Sequence, residues 1–500
     1  MGERTLPVRG ISLRELLPQA VFRGVDDIRV TSCCGEARGC KRGDLFVAVG
    51  DEPGTSERAM RLARKRGAVG MVSDRAIAAE DLPLCVVPDS RDAYGRICHA
   101  LAGDPSKQLK VIGITGTQGK TVTSYLLAAV LEAGGFYAGV LGTLGYYDGI
   151  KVAAAESATP HAPVLARWLE RMQSNGCTHA VVEVSNRALS EARLAGVTLD
   201  AACITNIARN HLDRPEQDEN YRAVKDQLFH HLAPEGVTVL NADDPSCDAC
   251  LRLLDGPMLT IGIDQPAEVS ATPLEQSRGE QTFLLSAGAE TIPVRTPLIG
   301  THNIYNCLTA AAMGLSYGID LPTIVRGLEA LDKIPGRLER LECGQTFGVF
   351  IDDARTVEGL AGSLATLRNV TQGRLICVFG AAGERDRAKR PLLGAVVENA
   401  ADLAVLTTDN PHDEDPRRIA ADVLSGFDHP GRVHCEPDRA DAICWALNQA
   451  QAGDCVLIAG RGNSAHQIIA GKRIPLDDRE VARDWLYEAI APREMFRAGA

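Results

Sequence analysis

Short apolar runs recur along this chain, separated by stretches in which apolar positions return every three or four residues. The first pattern predicts strands buried on both faces, and the second predicts amphipathic helices. Near the N-terminus, Asp44–Val49 (DLFVAV), Val69–Val72 and Leu84–Val87 read as strands and Glu57–Arg66 as a helix. From Val111 the alternation becomes regular. Val111–Thr115, His179–Val184, Ala201–Thr205 and Val237–Asn241 read as strands, with helices at Lys120–Ala133 and Tyr221–Leu232. Past Ile334 the rhythm repeats: strands Val349–Asp352, Leu375–Gly380, Leu403–Thr407 and Cys455–Ala459, with helices Pro391–Asn399, Pro416–Leu424 and Arg439–Gln449. Apolar strands alternating with helices imply parallel sheets covered on both faces. The expected fold class is α/β in three domains: a small N-terminal α/β unit (residues 1–107), a central domain with a mainly parallel sheet (108–333), and a C-terminal Rossmann-like unit (334–500). The last boundary falls at Asp332-Lys-Ile-Pro-Gly336.

Composition narrows the class. The chain has 500 residues, too many for one ordinary domain. It is 45% hydrophobic and 24% charged, as a soluble globular protein is. A formal charge of −12 argues against nucleic acid as a partner, because neutralising phosphates takes clustered Lys and Arg. Small anionic substrates, which bind local clusters, stay open. Fifteen scattered cysteines read as reduced, buried thiols of a cytoplasmic protein. Cys247-Asp-Ala-Cys250 is a lone CxxC without a second pair, and the bland reading is a loop after a strand. The N-terminal segment MGERTLPVRGISL lacks the apolar core of a signal peptide, and no apolar run is long enough to span a membrane. The chain is expected to be a cytoplasmic monomer acting on small molecules.

The chemistry begins at Gly116-Thr117-Gln118-Gly119-Lys120-Thr121, between a strand and a helix. Backbone N–H groups at a helix start cradle phosphates, a lysine neutralises them, and a threonine hydroxyl can hold Mg²⁺. The strict spacing with an earlier glycine is not met: position 114 is Ile, and the glycine stands at 113. Glu183 ends the strand VVEV, where parallel sheets place ligands, and a cation is its natural partner. His211, after another strand, is open to a metal or a capping role. Lys225, on a helix, reads by itself as solvated.

Together, GITGTQGKT, SATP, EVSNRAL with Arg193, ITNIARNHLD, YRAVKDQLF, GTHNIYN, IPGRLE, GERDRAKRP, DNPHDEDP and IAGRG resemble the Mur ligase family, in order, from about Gly43 to Trp485. The likeness is strongest to the branch that adds the third peptide residue. It implies a UDP-binding N-terminal domain, a central ATPase domain and a C-terminal amino-acid domain. The implied reaction is ATP-driven: the terminal carboxylate of UDP-MurNAc-L-Ala-D-Glu becomes an acyl phosphate, which the amine of a diamino acid attacks. The resemblance implies ATP and two Mg²⁺ as cofactors. It places Gly116–Thr121, Asn303, Arg337 and Asp352 on the nucleotide, with Lys120, His211 and Lys225 catalytic. The metal positions are Thr121, Glu183, His211 and Lys225, the last carbamylated. It places Arg38, Thr159, Ser185 and Arg193 on the UDP-muramoyl substrate, and Arg385, Asp409, Asn410, His412 and Gly460 on the incoming amino acid.

The chain departs from the family pattern in places. Glu36-Ala37-Arg38 stands for Asp-Ser-Arg, and Asn210 precedes His211 where the family has Asp. His412 replaces the Arg of Asp-Asn-Pro-Arg, which grips the distal carboxylate of meso-diaminopimelate. Gly460-Arg461-Gly462-Asn463-Ser464 replaces Gly-Lys-Gly-His-Glu. The expected amine is meso-diaminopimelate, with L-lysine or another amine as the alternative. Two further readings are a catalytically impaired paralogue that binds precursor, and a folate polyglutamate or cyanophycin ligase.

Overall fold

The computed structural model describes residues 10–50, 53–75, 82–206, 227–245, 247 and 256–495. The chain divides into two compact units, Met1–Thr260 with Ala312–Ile319, and Ile261–Ala311 with Asp320–Ala500.

In the first unit a five-stranded sheet has the order Val21–Arg23, Leu84–Val86, Gly70–Ser73, Leu45–Val47, Cys33–Cys34. All but its first pairing are parallel. The helices Pro53–Lys65 and Ser90–Leu101 belong to the same segment. Asp89 caps the second by accepting from the amides of Arg91 and Asp92. The next sheet centres on Lys110–Thr115, flanked in parallel by His179–Glu183 and Leu199–Ile204. The next strands out are Ala138–Gly142 on one side and Leu232–Asn241 on the other. Central strands read as unbroken apolar runs because helices cover both faces. Val111, Val182, Leu199 and Ala202 pack there with Leu165, Leu169 and Met172 of the helix Ala162–Ser174.

The second unit carries a sheet ordered Glu339–Arg340, Gly348–Asp352, Cys455–Ala459, Leu375–Phe379, Leu403–Leu406, His434–Cys435, parallel apart from its first pairing. One face buries Leu364, Leu393 and Val423 of the covering helices, and the other buries Ile443, Leu447 and Leu486. The same unit holds an antiparallel meander, Val269–Gln276, Gln281–Ala287, Glu290–Thr296.

The expected α/β class with mostly parallel sheets is what the chain adopts. The central expectation that changes is the helix Tyr221–Leu232. Residues 221–226 lie outside the described residues. Gln227–His231 form a 3-10 turn, and Leu232 already opens a strand. Pro234 keeps Ala233, the residue before it, out of the helical region, so the helix does not resume. Cys247 of the CxxC is buried with Ile204 and Leu240, while Cys250 lies outside the described residues.

Candidate active site

The strand Lys110–Thr115 delivers the chain to Gly116, whose φ is +147°. A Cβ here would stand 1.9 Å from the Thr205 hydroxyl, so no other residue fits. Gly119 follows with φ +84° in the cap position of the helix Lys120–Ala133. A glycine cap brings no side chain to the first helical amides, which suits an anion at the helix start. Lys120 Nζ donates to Gly116 O at 2.7 Å and Thr117 O at 3.3 Å, folding the lysine back over the loop. The neighbouring strand end braces the loop from beneath. Asn206 Oδ1 accepts from Gln118 N at 3.1 Å, Asn206 O accepts from Thr117 N at 3.1 Å, and Thr205 Oγ1 donates to Gln118 O. Thr121 is buried on the first turn. The structure also explains the missing early glycine. Ile114 is a buried sheet residue, whereas a Cβ at Gly113 would meet Leu199 Cδ1 at 2.8 Å, so that glycine serves packing and the loop begins at Gly116.

Glu183 ends the adjacent strand and is fully buried. Thr143 fixes both carboxylate oxygens, its amide donating to Oε1 at 3.1 Å and its hydroxyl to Oε2 at 2.9 Å. Burying a carboxylate is costly without compensating charge or hydrogen bonds. Burial and the charge of Glu183 push the Tyr125 hydroxyl above its ordinary pKa. A buried, oriented carboxylate in the same sheet as a phosphate-type loop is a donor set that fits Mg²⁺.

The backbone of Glu183 ties this end of the strand to a second cluster. Thr159 Oγ1 donates to Glu183 O at 2.7 Å and accepts from Ser185 N at 3.0 Å. Ser185 caps the short helix Asn186–Ser190 by accepting from Ala188 N. Arg193, itself buried, donates to Thr159 O at 2.6 Å and to Glu191 Oε2 through Nε at 2.9 Å and Nη2 at 2.7 Å. Burial pushes the Glu191 carboxyl up, but Arg187 and Arg193 outweigh it and hold the group at about 2. The structure therefore brings Glu183, Thr159, Ser185 and Arg193 together in one network. Arg38 is exposed on the turn after Cys33–Cys34. His211 and Lys225 lie outside the described residues.

In the second unit, Asn303 is buried near the start of the helix Thr301–Ser316, donating to Ile299 O at 2.8 Å and accepting from Asn306 at 3.0 Å. Asp352 ends the strand Gly348–Asp352, where its Oδ2 accepts from Leu338 N and Ser363 Oγ, both at 3.1 Å. Burial raises its carboxyl to about 6, against the pull of Arg337. Arg337 itself pairs with Asp353 at 3.0 Å.

The loops after Leu403–Leu406 and Cys455–Ala459 meet in the same unit. Asp409 and Arg461 are buried, and Asn410 Oδ1 accepts from Arg461 Nη1 at 3.2 Å and from Ile468 N at 2.8 Å. Burial raises the Asp409 carboxyl, opposed by Arg439, Arg355 and Arg461. His412 sits in the left-handed region at φ +54°, its amide donating to Ile468 O at 3.1 Å. Gly460 N donates to Asp352 O at 3.0 Å, linking this cluster to the strand end that carries Asp352. Arg385 is exposed, next to Glu384 at φ +55°. Beneath them lies a buried ionic group that no local motif announced. Arg439 holds Asp478 through Nε at 2.9 Å and Nη2 at 2.7 Å, and Arg461 Nε lies 3.6 Å from Asp478.

With this geometry in view, likeness to known proteins decides the family. The Mur ligase middle domain matches residues 114–314, and the Mur ligase, glutamate ligase domain matches 336–462. The UDP-N-acetylmuramoyl-L-alanyl-D-glutamate–2,6-diaminopimelate ligase of Geobacillus thermodenitrificans is 38% identical over 428 residues, 84% of this chain and 87% of that protein. The chain belongs to the Mur ligase family. Members of this family are ATP-dependent amide ligases. The ligase of the same name from Aquifex aeolicus is 35% identical, covering 92% of this Mur ligase and 94% of its relative. A solved structure with that ligase name superposes at a TM-score of 0.69, with 29% identity over 96% of this chain and 99% of the other. Folylpolyglutamate synthase of Mycobacterium tuberculosis, complexed with ADP and AMPPCP, shares the fold at 22% identity and a TM-score of 0.61 over 74% of this chain and 92% of the other. Thr143, Thr205, Asn206, Arg439 and Asp478 are the residues that sequence reasoning left without a role.

Proposed function

We propose that this Mur ligase joins the amine of a diamino acid, meso-2,6-diaminopimelate first among them, to the D-glutamyl carboxylate of UDP-MurNAc-L-Ala-D-Glu, in cytoplasmic peptidoglycan precursor synthesis. The observation that carries the reading is the phosphate-type loop Gly116–Thr121 with the buried, Thr143-oriented Glu183 on the adjoining strand. Identity of 38% to a ligase named for that reaction supports it.

In this reading Lys120 and the loop amides take the ATP phosphates, and Thr121 and Glu183 hold Mg²⁺. Mg²⁺, when bound, neutralises the repulsion between the phosphates and the acceptor carboxylate. His211 and a carbamylated Lys225 complete the ion-binding set, an assignment resting on the motif resemblance. The acceptor carboxylate oxygen attacks the γ-phosphorus and ADP leaves. The amine then attacks the acyl carbon, phosphate leaves, and the nitrogen sheds a proton. Asn303, Arg337 and Asp352 serve the nucleotide. Thr159, Ser185 and Arg193 position the muramoyl peptide, and Arg38 reaches the UDP moiety. The three segments 1–107, 108–333 and 334–500 divide UDP, ATP and amino-acid binding among them. Asp409, Asn410, His412, Arg385 and Gly460 receive the diamino acid.

The test is phosphate release by purified protein given ATP, Mg²⁺, UDP-MurNAc-L-Ala-D-Glu and a panel of amino acids. Release with diaminopimelate is expected. No release with any amine would refute ligase activity, and release with L-lysine alone would overturn the amine assignment.

A further inference from the structure

The N-terminal sheet gathers three metal-type donors outside the ligation site. The strand Cys33–Cys34 pairs in parallel with Leu45–Val47, Cys34 opposite Phe46. The intervening turn folds back on itself, with Gly39 N donating to Glu36 O at 3.0 Å and Asp44 N to Lys41 O at 3.1 Å. As a result, Cys34 Sγ, Cys40 Sγ and a carboxylate oxygen of Asp44 all lie within 4.8 Å of one another. Cys40 and Asp44 are buried and Cys34 is half-buried. Asp44 is already oriented: Ser32 Oγ donates to one oxygen at 2.6 Å and Lys41 N to the other at 2.7 Å. Outer hydrogen bonds of this kind fix a ligating carboxylate in place. Arg66 Nε braces the turn by donating to Cys40 O at 2.9 Å.

We propose that Cys34, Cys40 and Asp44 form a three-ligand Zn²⁺ site whose fourth position is open to solvent. Zinc bonds of about 2.3 Å to sulfur and about 2.0–2.2 Å to oxygen put tetrahedral ligand atoms about 3.5–3.8 Å apart, within the observed spread. Thiolate donors select zinc over the hard Mg²⁺ that the ligation chemistry uses. Two thiolates and a carboxylate carry three negative charges. Zn²⁺ cancels two, and the exposed Arg38, Lys41 and Arg42 of the same turn add positive charge to this segment. Binding converts two thiols to thiolates and releases two protons to solvent. Water completes the tetrahedron. The ion would pin the turn that carries Arg38, and no step of ligation passes through it. The competing description is a metal-free thiol, with Cys40 donating weakly to Lys41 O at 3.7 Å and Ala63 O at 3.9 Å.

Full-length protein, stripped with chelator, is titrated with Co²⁺ and then with Zn²⁺ against a chromophoric competitor. The expected result is one ion per chain, a thiolate-to-cobalt absorption band, release of two protons, and a Zn²⁺ Kd below about 1 μM. Cys34→Ser and Cys40→Ser should each lower affinity by at least about 100-fold, and Asp44→Asn by about tenfold. Cys98→Ser, whose Sγ lies 3.7 Å from Cys33 Sγ, should leave binding unchanged. Absence of the cobalt band in the wild-type protein, or undiminished binding in the Cys34→Ser, Cys40→Ser double variant, would overturn the site. The wild-type spectrum decides the matter even if a variant fails to fold. Ligase activity is not the readout, so failure of the zinc site leaves the ligase assignment standing.

Discussion

Two loop regions at the carboxyl ends of parallel strands do different physical work. The loop Gly116–Thr121 is shaped by its backbone: a positive-φ glycine wedged against Thr205, and Asn206 bridging the main chain of Thr117 and Gln118. In the proposed reading its chemistry falls to the loop amides, Thr121 and Lys120, the last folded over the peptide carbonyls. The loops around Asp409–His412 and Gly460–Gly462 are instead positioned by buried charge. Arg461 reaches Asn410, and both Arg461 and Arg439 lie against Asp478. The first loop can therefore lose its chemistry while keeping its fold. The second has its shape and its charge tied together.

The largest effect should come from breaking that tie. Arg439 and Asp478 are both fully buried as side chains. Removing one partner of a buried pair leaves the other charge uncompensated, at about 3–5 kcal/mol. Asp478→Asn should lower the unfolding free energy by about that amount, read by urea denaturation. At a temperature where the variant is folded, its KM for ATP should match the wild type. A stability loss under about 1 kcal/mol would mean that the pair is not what holds these loops.

Next in size is Lys120→Ala. Loss of one preorganised donor to developing charge costs about 10²–10³ in kcat. Stability should move by no more than about 1 kcal/mol, because the lysine's hydrogen bonds go to carbonyls in a half-buried loop. ADP release and thermal unfolding measured on the same preparation check both halves. Equal loss of activity and stability would erase the contrast between the two loops.

The same contrast governs what could be read from sequence. The strand, the turn Gly116–Gly119 and the helix Lys120–Ala133 were legible because every signal is local: an apolar run, two glycines and a helical period. Glu183 was legible as a strand-end carboxylate, but its anchor Thr143 stands 40 residues earlier, and only the parallel register of Ala138–Gly142 beside His179–Glu183 brings them together. Asp478 meets Arg439 across 39 residues because the helices they open, Arg439–Gln449 and Asp478–Met495, pack in one cluster on the sheet. The meander from Val269 to Thr296 passed unread because its strands are half-buried, and their alternation (Phe283 and Leu285 inward) is weaker than the unbroken runs of the parallel sheets. The helix predicted through Leu232 gives way to a strand at Leu232, and Pro234 keeps Ala233 before it out of the helical region.

The smallest predicted effect bears on the amine. His412 occupies the place where the family pattern has an arginine, and its backbone already sits at φ +54°. Arginine at that position meets the same backbone strain, so His412→Arg should leave stability nearly unchanged. The new guanidinium would offer a bidentate fork to a carboxylate. A charged hydrogen bond is worth about 1.5–3 kcal/mol, and about 1.4 kcal/mol is already tenfold. If the distal carboxylate of diaminopimelate reaches residue 412, its KM should fall by about tenfold in the variant. The KM for L-lysine, which has no distal carboxylate, should stay put. A change shared equally by both amines would mean that residue 412 acts on the loop and not on the substrate. No change for either would move the distal carboxylate away from this position, leaving the exposed Arg385 as the remaining cation that the family pattern offers to it.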